Sequence, residues 1–275
     1  MYYTENDIVK ALNRVGIKKG DTVFFTTGLG MLGVPKINGL INSNNVSKLI
    51  FKSIKKVLSS SGTILIPTYS YSFKNSKKKL SLFNVKKTPS KIGPFGNYFL
   101  KQKGVIRSKD PMTSVAGLGK NAKRILENIS PTSYGKNCVF ERILNIKNSK
   151  CCSIGLGPNW MPFIHYCDWL NQVPFRYDKY FLGKIVNGKI KKRIIWHYPV
   201  RYLRKETFAN GHKIGTLAVK KKIFKYYKLG RSRVYAANYK RYFDYTMKLT
   251  KKNPWMTVDG PKFEVKKNFK NDKNK

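Results

Sequence analysis

Acidic residues are scarce in this chain. Its 275 residues include 13 Asp and Glu against 56 Lys and Arg, which gives a formal net charge of +43. Such a charge favours anionic ligands and disfavours polycationic ones. The lysines are spread along the whole chain and Asn is also abundant, as codon drift in an A- and T-rich genome would produce. Nucleic-acid binding is therefore kept only as an alternative function, because charge alone supports it.

Cysteine and long apolar runs are also few. The four cysteines form no C-x-x-C pair, so the sequence predicts no zinc or other metal site. Without a disulfide framework, the expected location is the reducing cytoplasm. There is no signal peptide and no run of about 18 apolar residues, so no membrane segment is expected.

Short apolar runs alternate with amphipathic segments over the first two thirds of the chain, as in an α/β sheet. Buried strands are predicted at 21–27, 63–67, 113–118 and 151–156. The segment 74–91 is basic and lacks periodicity, which predicts a long loop. After about residue 178 the pattern changes, and Asn187-Gly188 between two apolar stretches predicts a β-hairpin.

These patterns predict a fold class and a domain organisation. The expected fold is a three-layer α/β/α arrangement with a mostly parallel central sheet and an antiparallel C-terminal elaboration. Residues 1–262 are expected to form a single domain. Residues 263–275 are expected to be a basic, frayed tail.

Three glycines form a dinucleotide-binding fingerprint. Gly28, Gly30 and Gly33 spell G-x-G-x-x-G directly after a predicted strand. However, Pro35 and the residues after it do not continue as a helix that could hold a pyrophosphate, and 48–53 contains no acid for a ribose hydroxyl. A nicotinamide-dependent oxidoreductase is therefore a second alternative. The glycines would also let the backbone approach a different ligand closely.

A series of short motifs occurs in the order and approximate spacing of one known family. The motifs are Gly20-Asp-Thr-Val-Phe-Phe-Thr-Thr-Gly-Leu29, Gly62-Thr-Ile-Leu-Ile-Pro-Thr68, Thr88-Pro-Ser-Lys-Ile-Gly93, Gly104-Val-Ile-Arg-Ser108, Ser114-Val-Ala-Gly-Leu-Gly119 and Ile164-His165-Tyr166 with Asp168. Over residues 4–180 this series resembles the aminoglycoside 3-N-acetyltransferases. The resemblance implies an N-acyltransferase that moves an acetyl or other short acyl group from acyl-CoA to the amine of an amino sugar or aminoglycoside.

The resemblance also implies roles for individual residues. His165 would be the general base, a role that suits an imidazole because its ordinary pKa of about 6.5 lies near working pH. Asp168 would orient the ring or contact the acceptor, and Ser114 would assist the thioester carbonyl. The residues expected to bind CoA are Thr26, Thr27, Gly28, Leu29, Arg107 and Ser108.

The chain departs from the family pattern at two places that bear on the acceptor. The family commonly has His-Ser-Ser-Leu where this chain has Thr26-Thr27-Gly28-Leu29, and a His where this chain has Asp110. With these histidines replaced, two alternatives remain: the protein acts on a different acceptor, or it is an inactive homologue. Asp110, Arg176 and Asp178 are predicted to bind the acceptor. Because a protein at +43 repels polycations, we expect an amino sugar, possibly nucleotide-linked, with a true aminoglycoside less favoured. The sequence predicts no oligomeric state.

Overall fold

The structure is a computed structural model that describes residues 1–73 and 80–265. Its helices are α1 (Glu5–Arg14), α2 (Ser43–Leu58), α3 (Pro94–Leu100), α4 (Ala122–Leu126), α5 (Val139–Leu144), α6 (Ile164–Leu170), α7 (His212–Lys220) and α8 (Tyr239–Lys252). Its strands are β1 (Tyr2–Tyr3), β2 (Thr22–Thr27), β3 (Val34–Pro35), β4 (Thr63–Pro67), β5 (Ser81–Asn84), β6 (Ile106–Arg107), β7 (Val115–Gly119), β8 (Ser149–Ile154), β9 (Arg176–Asn187), β10 (Ile190–Arg201), β11 (Lys225–Leu229) and β12 (Ser232–Asn238). Part of the predicted loop (74–79) and most of the predicted tail (266–275) lie outside the described residues.

Seven strands form the central sheet, in the order β11-β12-β8-β2-β4-β7-β6. The three inner strands β8, β2 and β4 are parallel, and the four outer pairings are antiparallel. Because β6 and β11 each lie two antiparallel pairings from the inner strands, they run in the same direction as those strands. Five of the seven strands therefore share one direction, and the predicted α/β class with a mostly parallel sheet is confirmed.

The inner strands are covered by helices on both faces. Val23 and Phe25 of β2 pack in one core with α1, α2 and α3, whereas Phe24 packs in a second core with α4 to α8. The same alternation holds on β4, where Leu65 packs in the second core. Burial on both faces explains why these strands read as continuous apolar runs rather than as alternating ones. This arrangement confirms the predicted three-layer α/β/α fold.

A smaller sheet of three strands, in the order β10-β9-β5, adjoins this layer structure. Its β9–β10 hairpin turns at Gly188 and Lys189, between the paired residues Asn187 and Ile190, and Gly188 has a φ of 62°. The predicted hairpin is confirmed, with its turn one residue later than Asn187-Gly188. The prediction of a loop over 74–91 was wrong at β5, which pairs in parallel with β9. Phe83 of β5 packs against Phe181 and Ile185 of β9. A strand of four residues whose partner lies about a hundred residues away leaves no local periodicity in the sequence.

The described residues include all four cysteines, potential metal ligands and the helices given above. All four cysteines are buried and free, and burial raises the pKa of Cys138 to about 11, which keeps it a protonated, unreactive thiol at neutral pH. Within 1–73 and 80–265, no group of three or more His, Cys, Asp or Glu could hold a metal ion. In the same ranges, every helix is too short or too polar to cross a bilayer.

Candidate active site

A cavity of about 560 Å³ lies where the three parallel strands end. Thr26 and Thr27 line it from the end of β2, and Pro67 lines it from the end of β4. The segment that follows β8 supplies residues of the range 156–165. Ligands of open α/β sheets bind at the carboxyl ends of the strands, so the topology marks this cavity as the candidate active site.

The wall of this cavity is aromatic and uncharged. Tyr69, Tyr71, Tyr134 and Trp160 line it together with apolar side chains, and in the described part of the chain no Asp, Glu, Lys or Arg does so. His165 is the lining residue that can acquire a full charge near neutral pH. A protein with 56 basic residues thus keeps them out of the described wall of its main cavity.

Two hydroxyl oxygens of cavity-lining residues are buried. The Oγ1 atom of Thr26 has no hydrogen-bond partner in the protein, whereas the hydroxyl of Tyr69 interacts with the hydroxyl of Tyr134. Buried polar atoms in folded proteins are nearly always hydrogen-bonded. Neither oxygen is exposed to solvent, so the unpartnered hydroxyl of Thr26 would reach a ligand in the cavity only after rotating toward it.

His165 is the second residue of α6 and belongs to a buried network behind the cavity wall. Its Nδ1 atom lies 2.7 Å from Nη2 of Arg176 and 3.6 Å from Oδ2 of Asp168. Asp168 also accepts hydrogen bonds from Nε of Arg176 at 2.9 Å and from the Thr257 hydroxyl at 2.7 Å. The ring of Tyr134 packs edge-on against the imidazole, with 5.5 Å between ring centroids. The ring of His165 is therefore held on three sides.

The network shifts the proton affinity of both titrating partners. Burial lowers the pKa of His165, and the guanidinium of Arg176 lowers it further, while Asp168 acts in the opposite direction. Burial raises the pKa of Asp168, but the charge of Arg176, the contact with His165 and the hydrogen bond from Thr257 outweigh burial, so this pKa lies below its usual value. At pH 7 the imidazole is neutral and the carboxyl is ionised, which is the protonation state that a general base requires.

Arg176 and Asp178 were predicted to bind the acceptor, but neither lines the cavity. Together with Asp168 they border a separate hollow of about 400 Å³. Asp178 Oδ1 lies 2.7 Å from Nε2 of His197, whose Nδ1 lies 2.6 Å from the hydroxyl of Thr132. Asp178 therefore helps to fix β10 to the segment before α5. Arg176 instead belongs to the network around His165.

Arg107, predicted to bind CoA, has a buried guanidinium surrounded by protein acceptors. Its Nη atoms donate to the main-chain carbonyls of Val85, Thr88 and Thr68. Its Nε donates to the hydroxyls of Thr68 and Ser114. Arg107 borders a hollow of about 440 Å³ that shares no lining residue with the main cavity. This arrangement makes Arg107 a clamp between loops rather than a free phosphate ligand.

The two serines near Arg107 are also engaged within the protein. The Ser108 hydroxyl accepts from the main-chain N–H of Val115 at 3.0 Å. The Ser114 hydroxyl donates to the Thr68 carbonyl at 2.7 Å. Both serines are buried, and neither lines the main cavity. The predicted roles of Ser108 in cofactor binding and of Ser114 at the thioester carbonyl thus find no support in this geometry.

Asp110, the third predicted acceptor ligand, is buried beneath the turn that precedes β7. Its carboxylate accepts from the main-chain N–H groups of Met112 and Thr113 and from the hydroxyls of Thr113 and Ser133. Burial raises the pKa of Asp110, while these hydrogen bonds act in the opposite direction. The carboxylate anchors a turn and does not reach the cavity wall.

Two of the three glycines of the fingerprint, Gly28 and Gly33, have structural explanations. A Cβ on Gly28 would lie 2.5 Å from Cδ2 of Leu156, and Gly33 has a φ of +94° beside the main chain of Met1. Gly30 has open space around it, within the 3₁₀ turn Leu29–Met31. Leu29 is buried in the first core, and α2 begins only at Ser43. A pyrophosphate would therefore meet no helix N-terminus here.

Several residues of the site were missed by sequence reasoning. Tyr69 and Tyr71 follow directly on β4, and the position of ligand sites at the carboxyl ends of parallel strands could have identified them. Tyr134, Trp160 and Asn210 reach the cavity from segments far apart in the chain. Their sequence neighbourhoods carry no comparable signal.

Comparisons with known proteins identify the family and the fold. The model of the aminoglycoside 3-N-acetyltransferase family matches residues 37–251, which is more than half of the chain. No curated protein sequence matches significantly.

Three solved structures share the fold. The aminoglycoside acetyltransferase AAC(3)-Xa has a TM-score of 0.78 at 15% identity, covering 91% of this chain and 93% of its own. AAC-IIIb, solved as a binary complex with CoASH, has a TM-score of 0.77 at 12% identity, covering 95% and 100%. YokD from Bacillus subtilis has a TM-score of 0.74 at 18% identity, covering 91% and 100%.

These matches support neither of the two alternative functions, a nicotinamide-dependent oxidoreductase and a nucleic-acid-binding protein. At such low identities the solved structures establish the fold, and the family match establishes the family. The chain belongs to the aminoglycoside 3-N-acetyltransferase family, and it is an acetyltransferase of the class that uses acetyl-CoA as co-substrate.

Proposed function

We propose that the protein transfers an acetyl group from acetyl-CoA to one amine of an amino sugar bound in the cavity, with His165 as the general base. One observation carries the proposal. His165, whose imidazole is neutral, and Thr26 line the same cavity at the carboxyl ends of the parallel strands.

The chemistry requires a neutral amine, a base for its proton and hydrogen-bond donors for the thioester oxygen. The amine nitrogen attacks the thioester carbonyl carbon, and a C–N bond forms as the C–S bond breaks. The proton of the amine passes to His165, which returns it to the departing CoA thiolate or to solvent. The thioester oxygen carries the developing negative charge, and the hydroxyl of Thr26 is a candidate donor to it. No metal or redox partner enters this balance.

The composition of the wall supports an acceptor with few charges. Each ammonium group of an aminoglycoside would need a nearby carboxylate, and the described wall provides none. The aromatic rings of Tyr71 and Trp160 instead suit the apolar C–H face of a sugar ring. A nucleotide-linked amino sugar would place one amine in the cavity, and the net charge of +43 would attract its diphosphate. We therefore infer that such a sugar is a better acceptor than a polycationic aminoglycoside.

Release of free CoA thiol tests the proposal directly. The assay compares a kanamycin-type aminoglycoside, a nucleotide-linked amino sugar with a single amine, and the same sugar without its nucleotide. We expect the highest kcat/KM for the nucleotide-linked sugar and little turnover of kanamycin. A kcat/KM that is highest for kanamycin would contradict the inferred acceptor class while leaving acetyl transfer intact.

The role of His165 is tested in the same assay. His165→Ala should lower kcat by roughly 10²–10⁴-fold, the usual contribution of a general base. His212→Ala is the matched control, because His212 is exposed and does not line the cavity. Full activity of the His165→Ala protein would refute the base assignment.

A further inference from the structure

The contact between Arg176 and His165 fixes where the imidazole carries its proton. A guanidinium has N–H donors and no acceptor. Because Nη2 of Arg176 lies 2.7 Å from Nδ1 of His165, that nitrogen must be the acceptor and must be unprotonated. A neutral imidazole carries one proton, so the proton of His165 is on Nε2.

This tautomer is the wrong one for a base that uses Nε2. A ring nitrogen accepts a proton only through a free lone pair, and Nε2 already bears hydrogen in this arrangement. The Nδ1 atom has its lone pair, but the buried guanidinium covers it. The ring can accept the amine proton at Nε2 only after Nδ1 has become the protonated nitrogen.

Asp168 is positioned to take over as the partner of Nδ1. Its Oδ2 atom lies 3.6 Å from Nδ1, less than an ångström beyond ordinary hydrogen-bond length. The other oxygen of Asp168 remains bound to Thr257. Arg176 can leave Nδ1 and keep two contacts, from Nε to Asp168 and from Nη1 to the carbonyl of Pro199 at 3.0 Å. The exchange therefore needs only a small movement of the guanidinium.

We propose that Arg176 is a positioning residue for the reaction: it holds His165 with the proton on Nε2, and its exchange for Asp168 at Nδ1 converts the ring into a base. In the exchange one proton leaves Nε2 and one arrives at Nδ1 through water, so the net charge is unchanged. The proposal rests on His165 as the base. It also explains how a buried arginine beside a catalytic histidine is compatible with proton transfer.

The surroundings of the ring define what else could influence it. On α6 the facing charged group is Asp168, and on β9 it is Arg176. Tyr134 packs against the ring from the segment before α5. Tyr198 of β10 and Arg201 of the same strand interact electrostatically with Arg176. Burial raises the pKa of both tyrosines, so they stay neutral at working pH.

The position of the proton can be measured without turnover. The chain has three histidines, so ¹⁵N NMR of protein labelled at histidine gives few signals, which His197→Gln and His212→Gln assign. At a pH above the pKa of His165, we expect its Nε2 to be protonated and its Nδ1 to be bare. In Arg176→Met, which removes every donor, we expect the proton to move to Nδ1 beside Asp168. A wild-type ring protonated on Nδ1 would overturn the proposal, whatever the outcome of the activity assays.

The pH profile of acetyl transfer gives a second reading. Arg176→Met removes the positive charge beside His165, so the acidic limb of kcat/KM should move up by about one pH unit or more. Arg201→Met is the matched control, since Arg201 is the cross-strand partner of Arg176 but bonds to Tyr202 and Thr207 instead. It should leave the limb and the tautomer unchanged.

Two further outcomes decide the role of Arg176. If Arg176→Met does not fold, Arg176→Lys keeps a charged group that can only donate, so it should keep the proton of His165 on Nε2, and a ring protonated on Nδ1 in this variant would refute the proposal. An acidic limb that shifts equally in the Arg176 and Arg201 variants would assign Arg176 a purely structural role and refute the proposal.

Discussion

Replacing Arg107 with Met separates the two roles that this residue has been given, cofactor ligand and clamp between loops. Burial lowers the pKa of Arg107 to about 10, so the guanidinium remains charged at neutral pH. It donates to three main-chain carbonyls, those of Val85, Thr88 and Thr68. Met has a similar length and no donor, so the substitution leaves these carbonyls without their partner.

The expected cost follows from those three acceptors. A buried acceptor left unsatisfied costs about 1–3 kcal/mol, so three predict a loss of about 3–9 kcal/mol of unfolding free energy, nearer the lower value where water reaches the carbonyls. Folded proteins have about 5–15 kcal/mol in total. The Arg107→Met protein should therefore be close to the limit of stability at 37 °C.

Urea unfolding measured by circular dichroism tests this value. Lys109→Met is the matched control, because Lys109 is an exposed cation two residues away. We expect Lys109→Met to change the unfolding free energy by less than about 0.5 kcal/mol. An Arg107→Met protein of unchanged stability with a raised KM for acetyl-CoA would refute the clamp and restore the prediction that Arg107 binds the cofactor.

Two further substitutions probe the cavity itself. Gly211→Ala places a Cβ 2.4 Å from the carbonyl oxygen of Asn159, so it should displace the segment that carries Trp160. We expect the unfolding free energy to fall by about 1–3 kcal/mol and kcat to fall as well. Gly30→Ala is the control, because Gly30 has open space around it, and it should leave the thermal midpoint and kcat unchanged. Thr26→Val removes an unpartnered buried hydroxyl without changing shape, so it should leave thermal stability equal or higher, while kcat/KM falls by about tenfold if that hydroxyl binds the reacting groups. A loss of stability in Thr26→Val, with unchanged kinetics, would contradict the second expectation.

Much of the core could be predicted from the chain because its signals are local. The strand at 63–67 is bounded by Gly62 and closed by Pro67, and the structure places β4 over the same residues. Gly188 permits the positive φ of a tight turn, and the hairpin turns there and at Lys189. Such signals do not depend on what the segment later packs against.

The candidate site was less predictable because its residues are brought together by long-range packing. Nothing near Arg107 in the sequence indicates that its charge would be enclosed by loops at 68, 85 and 88. Arg176 lies eleven residues after His165, across the start of β9, and only the tertiary structure brings its guanidinium to the imidazole. Motif order identified the family, whereas the role of each charged side chain depended on what it contacts.

A crystal structure of the protein with CoA would test the central claim most directly. We expect the CoA sulfur to lie in the cavity at the carboxyl ends of β2, β4 and β8, between Thr26 and His165. A sulfur in the hollow beside Arg107, with the cavity left to solvent, would contradict it.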